Sequence, residues 1–401
     1  MVIKVLAVMP TYYPEAGGGA LASHLMVNLL THAEGLKLTV LTGAREPEKV
    51  KGVDYYYDPF LKLIDKHYIP QQWLTERYRN ILESHDVIYI VYAYPLIAVA
   101  KKLDKKTIVH LHDYRPISPC AAVLAEALNS TNLDLLKSSF IISMLEKRSV
   151  KNVVKNMLNI PYTMMIRLWV SMADTILTAS KRHAEIISKY MPECRDRIKV
   201  QYNPLPRIPK IIKRLDTTPT FLYVGGDSYL KGFPILLQTI KHMIKEQLEV
   251  KFVLAGSYRK ETFKTISIWN RIYGKKIYIF GQISHQQIFK IHEKTWALLF
   301  PSITEEPLPY AVVESLAVGT PVIATRTGGI IEIVKGTCVE DLLIAPRNSE
   351  ELSKTVKLVM SYGKEYLENQ FLSKLLYDFK EKIYNKFDEQ QLLDNLLSCI
   401  K

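Results

Sequence analysis

Residues 296–324 read WALLFPSITEEPLPYAVVESLAVGTPVIA. Two short apolar runs, Trp296–Phe300 and Pro321–Ala324, stand on either side of a segment that has helical spacing around Glu314. Neighbouring parallel strands need a long crossover of this kind, whereas antiparallel strands can be joined by a tight turn. These residues therefore predict a β-α-β unit within a buried parallel sheet.

The same alternation of short strands and helices runs through the rest of the chain. The predicted strands of the first half are Val2–Met9, Leu38–Thr42, Val87–Tyr92, Ile108–His112 and Thr175–Thr178. Those of the second half are Phe221–Val224, Lys251–Ala255, Lys276–Phe280, Trp296–Phe300, Pro321–Ala324 and Leu342–Ile344. The pattern predicts an α/β fold with two Rossmann-like domains, each built on its own parallel sheet.

A proline-rich segment, residues 203–209 (NPLPRIP), marks the break between the two domains. Its prolines disfavour both a helix and a central strand, and 401 residues exceed what one compact core usually carries. We predict an N-terminal domain at residues 1–205 and a C-terminal domain at residues 206–375. A helical segment at residues 376–401 follows and can return to the N-terminal domain.

The composition is that of a globular protein with an excess of positive charge. Apolar residues make up 48% of the chain, and 53 Lys and Arg against 40 Asp and Glu give a net charge of +13. This excess favours an anionic partner, which can be a nucleic acid, a phosphorylated substrate or an acidic membrane. The cysteines are scattered singly, and the first apolar run, Val5–Met9, is too short for a signal peptide. We therefore expect a cytoplasmic protein.

Each predicted domain has a glycine-containing loop after its first strand, at residues 15–19 (EAGGG) and 225–234 (GGDSYLKGFP). Such a loop lets phosphate approach the backbone N–H groups at the start of the next helix. Lys231 can add a positive charge to a diphosphate site. A tight turn and a solvated surface lysine are the simpler alternatives. Because neither loop reads G-x-G-x-x-G, a nucleotide phosphate is favoured over a nicotinamide cofactor.

Two glutamates follow the strand at Trp296–Phe300. Glu306 closes the loop at the strand end, and Glu314 lies early in the next helix. Carboxylates accept hydrogen bonds from paired sugar hydroxyls, and N–H groups at a helix start can face phosphate or a sugar oxygen. Helix capping is the structural alternative, and it accounts for one glutamate only.

The segment from Glu306 to Pro321, followed by Gly328-Gly329 and Glu332, resembles the Glu-x7-Glu signature of glycosyltransferase family 4. Other elements that match in order are Tyr13-Pro14, Gly17-Gly18, Leu111-His112-Asp113, Ala173-Asp174, Ser180, Asn203-Pro204, Gly225, Lys231-Gly232, Ala255-Gly256, Gly281 and Pro301-Ser302. The resemblance implies a retaining enzyme of GT-B fold, whose two Rossmann-like domains face a central cleft. It further implies a nucleotide sugar bound mainly by the C-terminal domain and a glycan or lipid-linked acceptor bound by the N-terminal domain.

The resemblance also implies roles for individual residues. Lys231 would neutralise the leaving diphosphate, Glu306 would face the transferred sugar, and Glu314 would hold the donor ribose. His112 would contact the donor sugar near its reacting carbon. The candidate catalytic residues are therefore His112, Glu306 and Lys231, and the acceptor-side candidate is Asp113. The candidate donor-binding residues are Gly17, Gly18, Gly225, Lys231, Glu306, Leu308, Pro309, Tyr310, Ala311 and Glu314.

Two positions depart from the family pattern. Gly226 stands where relatives usually have an arginine, so half of the expected diphosphate clamp is missing, and Arg259 and Lys260 are candidates to replace it. Leu308-Pro309 replaces the commoner Phe-Gly pair. Since proline has no N–H to donate, the donors here would come from the next two residues.

The sequence predicts neither a metal nor a cofactor. It contains no Asp-x-Asp motif and no residues with zinc-site spacing. Lys231, loop amides and helix dipoles would then stabilise the leaving group, and retention would need no enzyme nucleophile. His112 shares its strand face with His110, and a buried histidine satisfied by its neighbours is the structural alternative for both.

Residues 137–167 combine an apolar face with a basic one and carry a net charge of +5 from six basic residues and one acidic residue. The apolar residues at helical spacing are Val150, Val153, Val154 and Met157, and the basic ones on another face are Lys147, Arg148, Lys151 and Lys155. Such a helix can lie on the anionic inner face of a membrane. A surface helix packed on the core is the structural alternative.

The sequence as a whole predicts a retaining, metal-independent glycosyltransferase that moves a sugar from a nucleotide-diphosphate donor to a hydroxyl acceptor. The alternatives are another GT-B enzyme, such as a phosphorylase or epimerase, and a non-catalytic nucleotide-sugar binder. A nucleic-acid-binding protein is disfavoured, because aromatic residues are not interleaved with basic clusters and no helix-turn-helix or zinc-finger spacing occurs.

Overall fold

The computed structural model describes residues 2–15, 17–147 and 159–401. The chain divides into two compact units. The first unit comprises Met1–Val123, Ala127–Pro206 and Phe387–Lys401, and the second comprises Leu124–Glu126 and Arg207–Lys386. The break after Pro206 lies within the proline-rich segment.

The first unit is built on a parallel sheet. Its strands are β1 (Ile3–Met9), β2 (Leu36–Thr42), β3 (Asp54–Tyr57), β4 (Val87–Ile90), β5 (Lys106–Leu111), β6 (Thr175–Thr178) and β7 (Ile198–Val200). They lie in the order β3-β2-β1-β4-β5-β6-β7. Its helices are α1 (Gly18–Leu30), α2 (Leu61–Ile64), α3 (Gln71–Glu83), α4 (Pro95–Lys102), α5 (Asn132–Lys147), α6 (Ile160–Ser171) and α7 (Lys181–Tyr190).

The second unit repeats this plan on a second parallel sheet. Its strands are β8 (Thr220–Val224), β9 (Lys251–Ala255), β10 (Ile277–Phe280), β11 (Ala297–Phe300), β12 (Val322–Thr325) and β13 (Leu343–Ile344), in the order β10-β9-β8-β11-β12-β13. Its helices are α8 (Phe233–Lys245), α9 (Lys260–Tyr273), α10 (His285–His292), α11 (Tyr310–Ala317), α12 (Ile330–Val334), α13 (Ser349–Tyr366) and α14 (Leu372–Asp378).

The C-terminal helix α15 (Glu389–Ile400) belongs to the first unit. Its Leu392 and Leu396 are buried in an apolar cluster with residues of β1 and α1, and Gln201 Nε2 donates to the Leu392 carbonyl oxygen at 3.1 Å. The helical segment predicted at residues 376–401 is divided between the two units, with the break between residues 386 and 387. Residues 376–386 stay with the second unit, where the Cys338 N–H donates to Asp378 Oδ2 at 2.7 Å.

The predicted pair of parallel Rossmann-like sheets is confirmed, and two edge strands were not predicted. The strand β3, with sequence DYYY, has no buried residue, and β7 is three residues long. Both lack the buried β-branched run by which the inner strands are recognised in the sequence. In each sheet the order of strands reverses once, between β1 and β4 and between β8 and β11.

Candidate active site

The loops that follow β8 and β11 bring most of the predicted donor residues to one edge of the second sheet. In open α/β sheets, ligands bind outside the carboxyl ends of the strands where the strand order reverses, and β8 and β11 are the neighbours at that point. The Ile303 N–H donates to the Leu230 carbonyl oxygen at 3.0 Å, and the Ser302 Oγ lies 3.1 Å from the same oxygen. The two loops are therefore fixed to each other.

Lys231 and Glu306 form an ion pair at this edge, with 2.8 Å between Nζ and Oε1. The same Glu306 oxygen accepts hydrogen bonds from the Ser302 and Thr304 hydroxyls, at 3.0 and 3.2 Å. Burial favours the neutral acid, but Lys231 and the hydroxyls outweigh it and hold the pKa of Glu306 below its ordinary value. A carboxylate suited to sugar hydroxyls thus lies beside an ammonium group suited to phosphate.

A neighbouring residue, Glu305, braces the Glu306 loop and was not named from the sequence. Its Oε2 accepts a hydrogen bond from the Gly328 N–H at 2.6 Å, and the Gly329 N–H donates to the Glu306 carbonyl oxygen at 2.9 Å. Gly328 has φ of +56°, and a Cβ there would lie 2.0 Å from that carbonyl oxygen. The glycine pair therefore lets this turn pack directly against the Glu306 backbone.

The local backbone at Gly226 does not suit the arginine that the resemblance implies at this position. Gly226 has φ of +61°, and a Cβ there would lie 2.4 Å from the Ser257 carbonyl oxygen. An arginine would therefore have a strained backbone, and its Cβ would clash with that oxygen. Of the two candidates for the missing charge, Arg259 is held by Asp227: its Nε donates to Oδ2 at 2.8 Å and its Nη2 to the carbonyl oxygen at 3.1 Å. Arg259 is thus paired with a carboxylate, as Lys231 is, and Lys260 is exposed at the start of α9.

Glu314 lies within α11 and is 7% exposed. Its Oε1 is 2.9 Å from Nε2 of His285, the first residue of α10. The hydrogen bond to Glu314 outweighs partial burial and raises the pKa of His285. His285 was not named from the sequence, because a single histidine at a helix start matches no motif and its partner lies on another helix.

Helix α11 begins where the family pattern is altered. Pro309 is the N-cap in an extended conformation, and Tyr310 and Ala311 are the first two helical residues. Leu308, 9% exposed, precedes the cap. Pro309 has no N–H to donate, and its carbonyl oxygen accepts hydrogen bonds from the Val312 and Val313 N–H groups at 3.1 and 3.4 Å.

In the first unit, the loop after β1 packs against the end of β4. Gly17 is the N-cap of α1 and Gly18 its first residue. A Cβ on Gly19 would lie 2.6 Å from the Tyr92 hydroxyl oxygen and 3.6 Å from the His112 Cβ. The glycine loop and His112 therefore lie at the same edge of the first sheet, while Gly225 and the glutamates belong to the second unit.

His112 and His110 differ in how their ring nitrogens are bonded. The two rings lie 4.3 Å apart between centroids, and His110 Nδ1 is 2.6 Å from the Tyr89 hydroxyl. Within the described part of the chain, Nε2 of both rings is buried without a hydrogen-bond partner, so the two differ only in the Tyr89 contact of His110 Nδ1. Burial lowers the pKa of His112 to about 4, so its imidazole is neutral near pH 7.

Asp113 is tied to Arg115, which was not named from the sequence. Arg115 Nε lies 3.1 Å from Asp113 Oδ2, and Arg115 also pairs with Asp65. Burial raises the pKa of Asp113, and Arg115 opposes that shift. The Arg115 guanidinium carbon lies 4.5 Å from the centroid of the Tyr92 ring. The spacing of Asp113 and Arg115 could have suggested their contact, whereas Asp65 is remote in sequence.

Two observations bear on metal and membrane binding. Within residues 2–15, 17–147 and 159–401, no group of His, Cys, Asp or Glu side chains is placed to hold a metal ion. In the same described part of the chain, no helix is long and apolar enough to cross a membrane. Residues 148–158, which carry much of the predicted amphipathic pattern, lie outside the described residues.

The second unit is similar in sequence to known sugar-transferring enzymes. Residues 206–370 match the family model of glycosyl transferases group 1. The matched region contains Lys231, Glu306 and Glu314. Across the first three curated relatives, the aligned region spans between 38% and 59% of the relative's own length.

Two relatives come from the archaeon Methanocaldococcus jannaschii, and both are uncharacterized glycosyltransferases. One is 23% identical over 56% of this chain and 59% of its own length, and the other is 25% identical over 91% and 93%. The crystal structure of Anabaena Alr3699/HepE in complex with UDP is similar, with a TM-score of 0.64, 14% identity and 99% of both chains covered. This structural likeness supports a GT-B fold.

Proposed function

We propose that this chain is a retaining, metal-independent glycosyltransferase of the family 4 type, which moves a sugar from a nucleotide-diphosphate donor to a hydroxyl acceptor. The observation that carries the proposal is the Lys231–Glu306 pair at the strand reversal of the region that matches the group 1 family model. The complex of Anabaena HepE with UDP and a further one with UDP-glucose support a nucleotide sugar as donor.

In the proposed reaction, Glu314 binds the ribose, Lys231 binds the diphosphate and Glu306 accepts hydrogen bonds from the sugar. The bond between the anomeric carbon and the diphosphate oxygen breaks, and a bond to the acceptor oxygen forms on the same face of the sugar. The departing phosphate oxygen takes the acceptor proton. His112, on the first unit, contacts the donor sugar near the reacting carbon, and Asp113 faces the acceptor.

Lys231 contributes most to turnover in this scheme, because it stabilises the negative charge that develops on the leaving group. Removing one such group typically costs about 10²- to 10³-fold in turnover. We expect Lys231→Ala and Glu306→Gln each to show a loss of that size with a panel of nucleotide sugars. Lys290→Ala, which removes an exposed lysine from α10, is the matched control.

The same assay separates the alternatives. Phosphorolysis or epimerisation of the donor without an acceptor would favour another GT-B enzyme, and donor binding without turnover would favour a non-catalytic binder. Near wild-type turnover in both Lys231→Ala and Glu306→Gln would contradict the diphosphate role of Lys231 and the sugar role of Glu306. Metal independence is tested by adding EDTA, which we expect to leave turnover unchanged. Complete loss of turnover in EDTA would contradict the proposal.

We further propose that the acceptor is lipid-linked or membrane-proximal and that the first unit binds the anionic inner face of a membrane. The described helices on either side of residues 148–158 expose apolar side chains at helical spacing. On α5 these are Leu133, Ile141, Met144 and Leu145, and on or next to α6 they are Met164, Leu168 and Met172. Apolar side chains flanking a basic segment are typical of helices that lie in a membrane interface.

Vesicle flotation tests this membrane proposal. We expect the full chain to float with vesicles that contain phosphatidylglycerol and to stay unbound with phosphatidylcholine alone. Met164→Glu with Leu168→Glu should reduce binding, whereas Ile212→Glu, at a residue that is 70% exposed in the second unit, should not. Equal recovery of all variants with anionic vesicles would contradict the role of the α6 face.

A further inference from the structure

The contact between His285 and Glu314 joins two helices of the second unit. His285 Nε2 lies 2.9 Å from Glu314 Oε1, and the two side chains are 41% and 10% exposed. A half-exposed ring thus covers one oxygen of a nearly buried carboxylate. Ion pairs with an exposed partner contribute little to stability, so a structural role explains this arrangement poorly.

The position of the His285 ring is fixed by its own helix. Ser284 caps α10 through a capping box with Gln287, which sets the backbone at His285. The ring packs against Phe289, with 4.7 Å between centroids. Since the helix start and the ring packing both restrict His285, its Nε2 is held in place to bond one Glu314 oxygen.

We propose that His285 is a positioning residue of the nucleotide site, which orients the Glu314 carboxylate toward the ribose diol of the donor. This inference rests on the proposed role of Glu314 in ribose binding. An ionised carboxylate has two oxygens and several lone pairs. When Nε2 holds Oε1, Oε2 is presented in a fixed direction to the 2′- and 3′-hydroxyls. Without His285 the carboxylate loses its orienting donor, and the site loses its preference for an intact diol.

The readout is the ratio of affinities for a ribonucleotide and its 2′-deoxy form. Isothermal titration of the full chain with ADP, GDP and UDP identifies the tightest diphosphate, which is then compared with its 2′-deoxy analogue. Hydrogen bonds to charged groups are strong enough for the wild type to prefer the ribonucleotide by about tenfold or more. We expect His285→Ala to reduce this preference to about twofold or less.

Two conservative variants show whether the effect depends on the position of the donor. The side-chain amide of His285→Gln can reach the place of Nε2, whereas that of His285→Asn lies nearer the place of Nδ1. We expect His285→Gln to recover most of the ribose preference and His285→Asn to resemble His285→Ala. Both variants are polar residues at an exposed helix start, so they also serve as a matched pair if His285→Ala folds poorly.

Glu314→Gln separates failure of this inference from failure of the proposed function. If Glu314→Gln loses the ribose preference while every His285 variant keeps it, the inference about His285 is wrong and the ribose role of Glu314 stands. Equal weakening of ribo- and deoxynucleotide by His285→Ala would also overturn it, since that is the effect of a merely structural contact. If Glu314→Gln keeps the preference, or no diphosphate binds the wild type, the proposed function and this inference both fail.

Discussion

The two Rossmann-like units place different chemistry at the same edge of their sheets. In the second unit, charged groups are paired: Lys231 with Glu306 and His285 with Glu314. In the first unit, the side chains near the glycine loop include both a neutral ring and ion pairs: His112 is deprotonated by burial, and Arg115, which lies over the Tyr92 ring, pairs with Asp113 and Asp65. The second unit thus has its charged pairs on the residues of the proposed donor site, whereas the first unit adds a neutral imidazole beside its charged cluster.

The contrast between the units is tested most strongly at two histidines, His110 in β5 and His112 directly after it. If His112 contacts the reacting sugar, His112→Ala should lower kcat by about 10²-fold, as for the loss of one stabilising donor. Donor affinity should change little, since the proposed nucleotide site lies in the second unit. Steady-state kinetics together with titration of the tightest-binding nucleoside diphosphate measures both quantities.

His110→Ala is the matched variant within the same unit. It should leave the buried Tyr89 hydroxyl without its 2.6 Å partner and lower the free energy of unfolding by about 1–3 kcal/mol. Turnover per folded molecule should stay within a few-fold of wild type. The opposite result, with His110→Ala inactive and His112→Ala active, would exchange the roles of the two rings.

Gly226→Arg tests whether the second unit can accept a further cation at its glycine loop. It introduces the arginine that the resemblance to family 4 implies, yet it places a side chain at φ of +61° against the Ser257 carbonyl oxygen. We expect the free energy of unfolding to fall by about 1–3 kcal/mol, as for a residue forced into a rare backbone conformation, with no gain in affinity for the tightest-binding nucleoside diphosphate. Chemical denaturation and titration measure both effects, and tighter binding without loss of stability would contradict the expected backbone strain.

The smallest expected effect concerns pH. Since the pKa of Glu306 is lowered below its ordinary value of 4.5 in the folded chain, its ion pair stabilises the fold above that pH. This contribution is lost as the pH falls through the folded-state value. The stability difference between wild type and Glu306→Gln should therefore be constant near neutral pH and shrink below about pH 4.5. A difference that does not vary with pH would show that the pair is not ionised.

The sequence predicted much of the fold because the inner strands are buried on both faces and appear as apolar runs between helical segments. The edge strands β3 and β7 lack that signal. The closeness of Lys231 and Glu306 follows from strand order, since the loops after neighbouring parallel strands meet at one edge. The contacts of Glu305 with Gly328 and of His285 with Glu314 depend on how loops and helices pack, which residue spacing does not encode.

The role of Lys231 in donor binding is tested by comparing a nucleoside diphosphate with its monophosphate. If Lys231 binds the leaving diphosphate, the wild-type chain should bind the tightest of ADP, GDP and UDP more strongly than the corresponding monophosphate, and Lys231→Ala should remove most of that preference while leaving the monophosphate affinity almost unchanged. A Lys231→Ala protein that keeps the full preference for the diphosphate would contradict the assignment of Lys231 to the diphosphate.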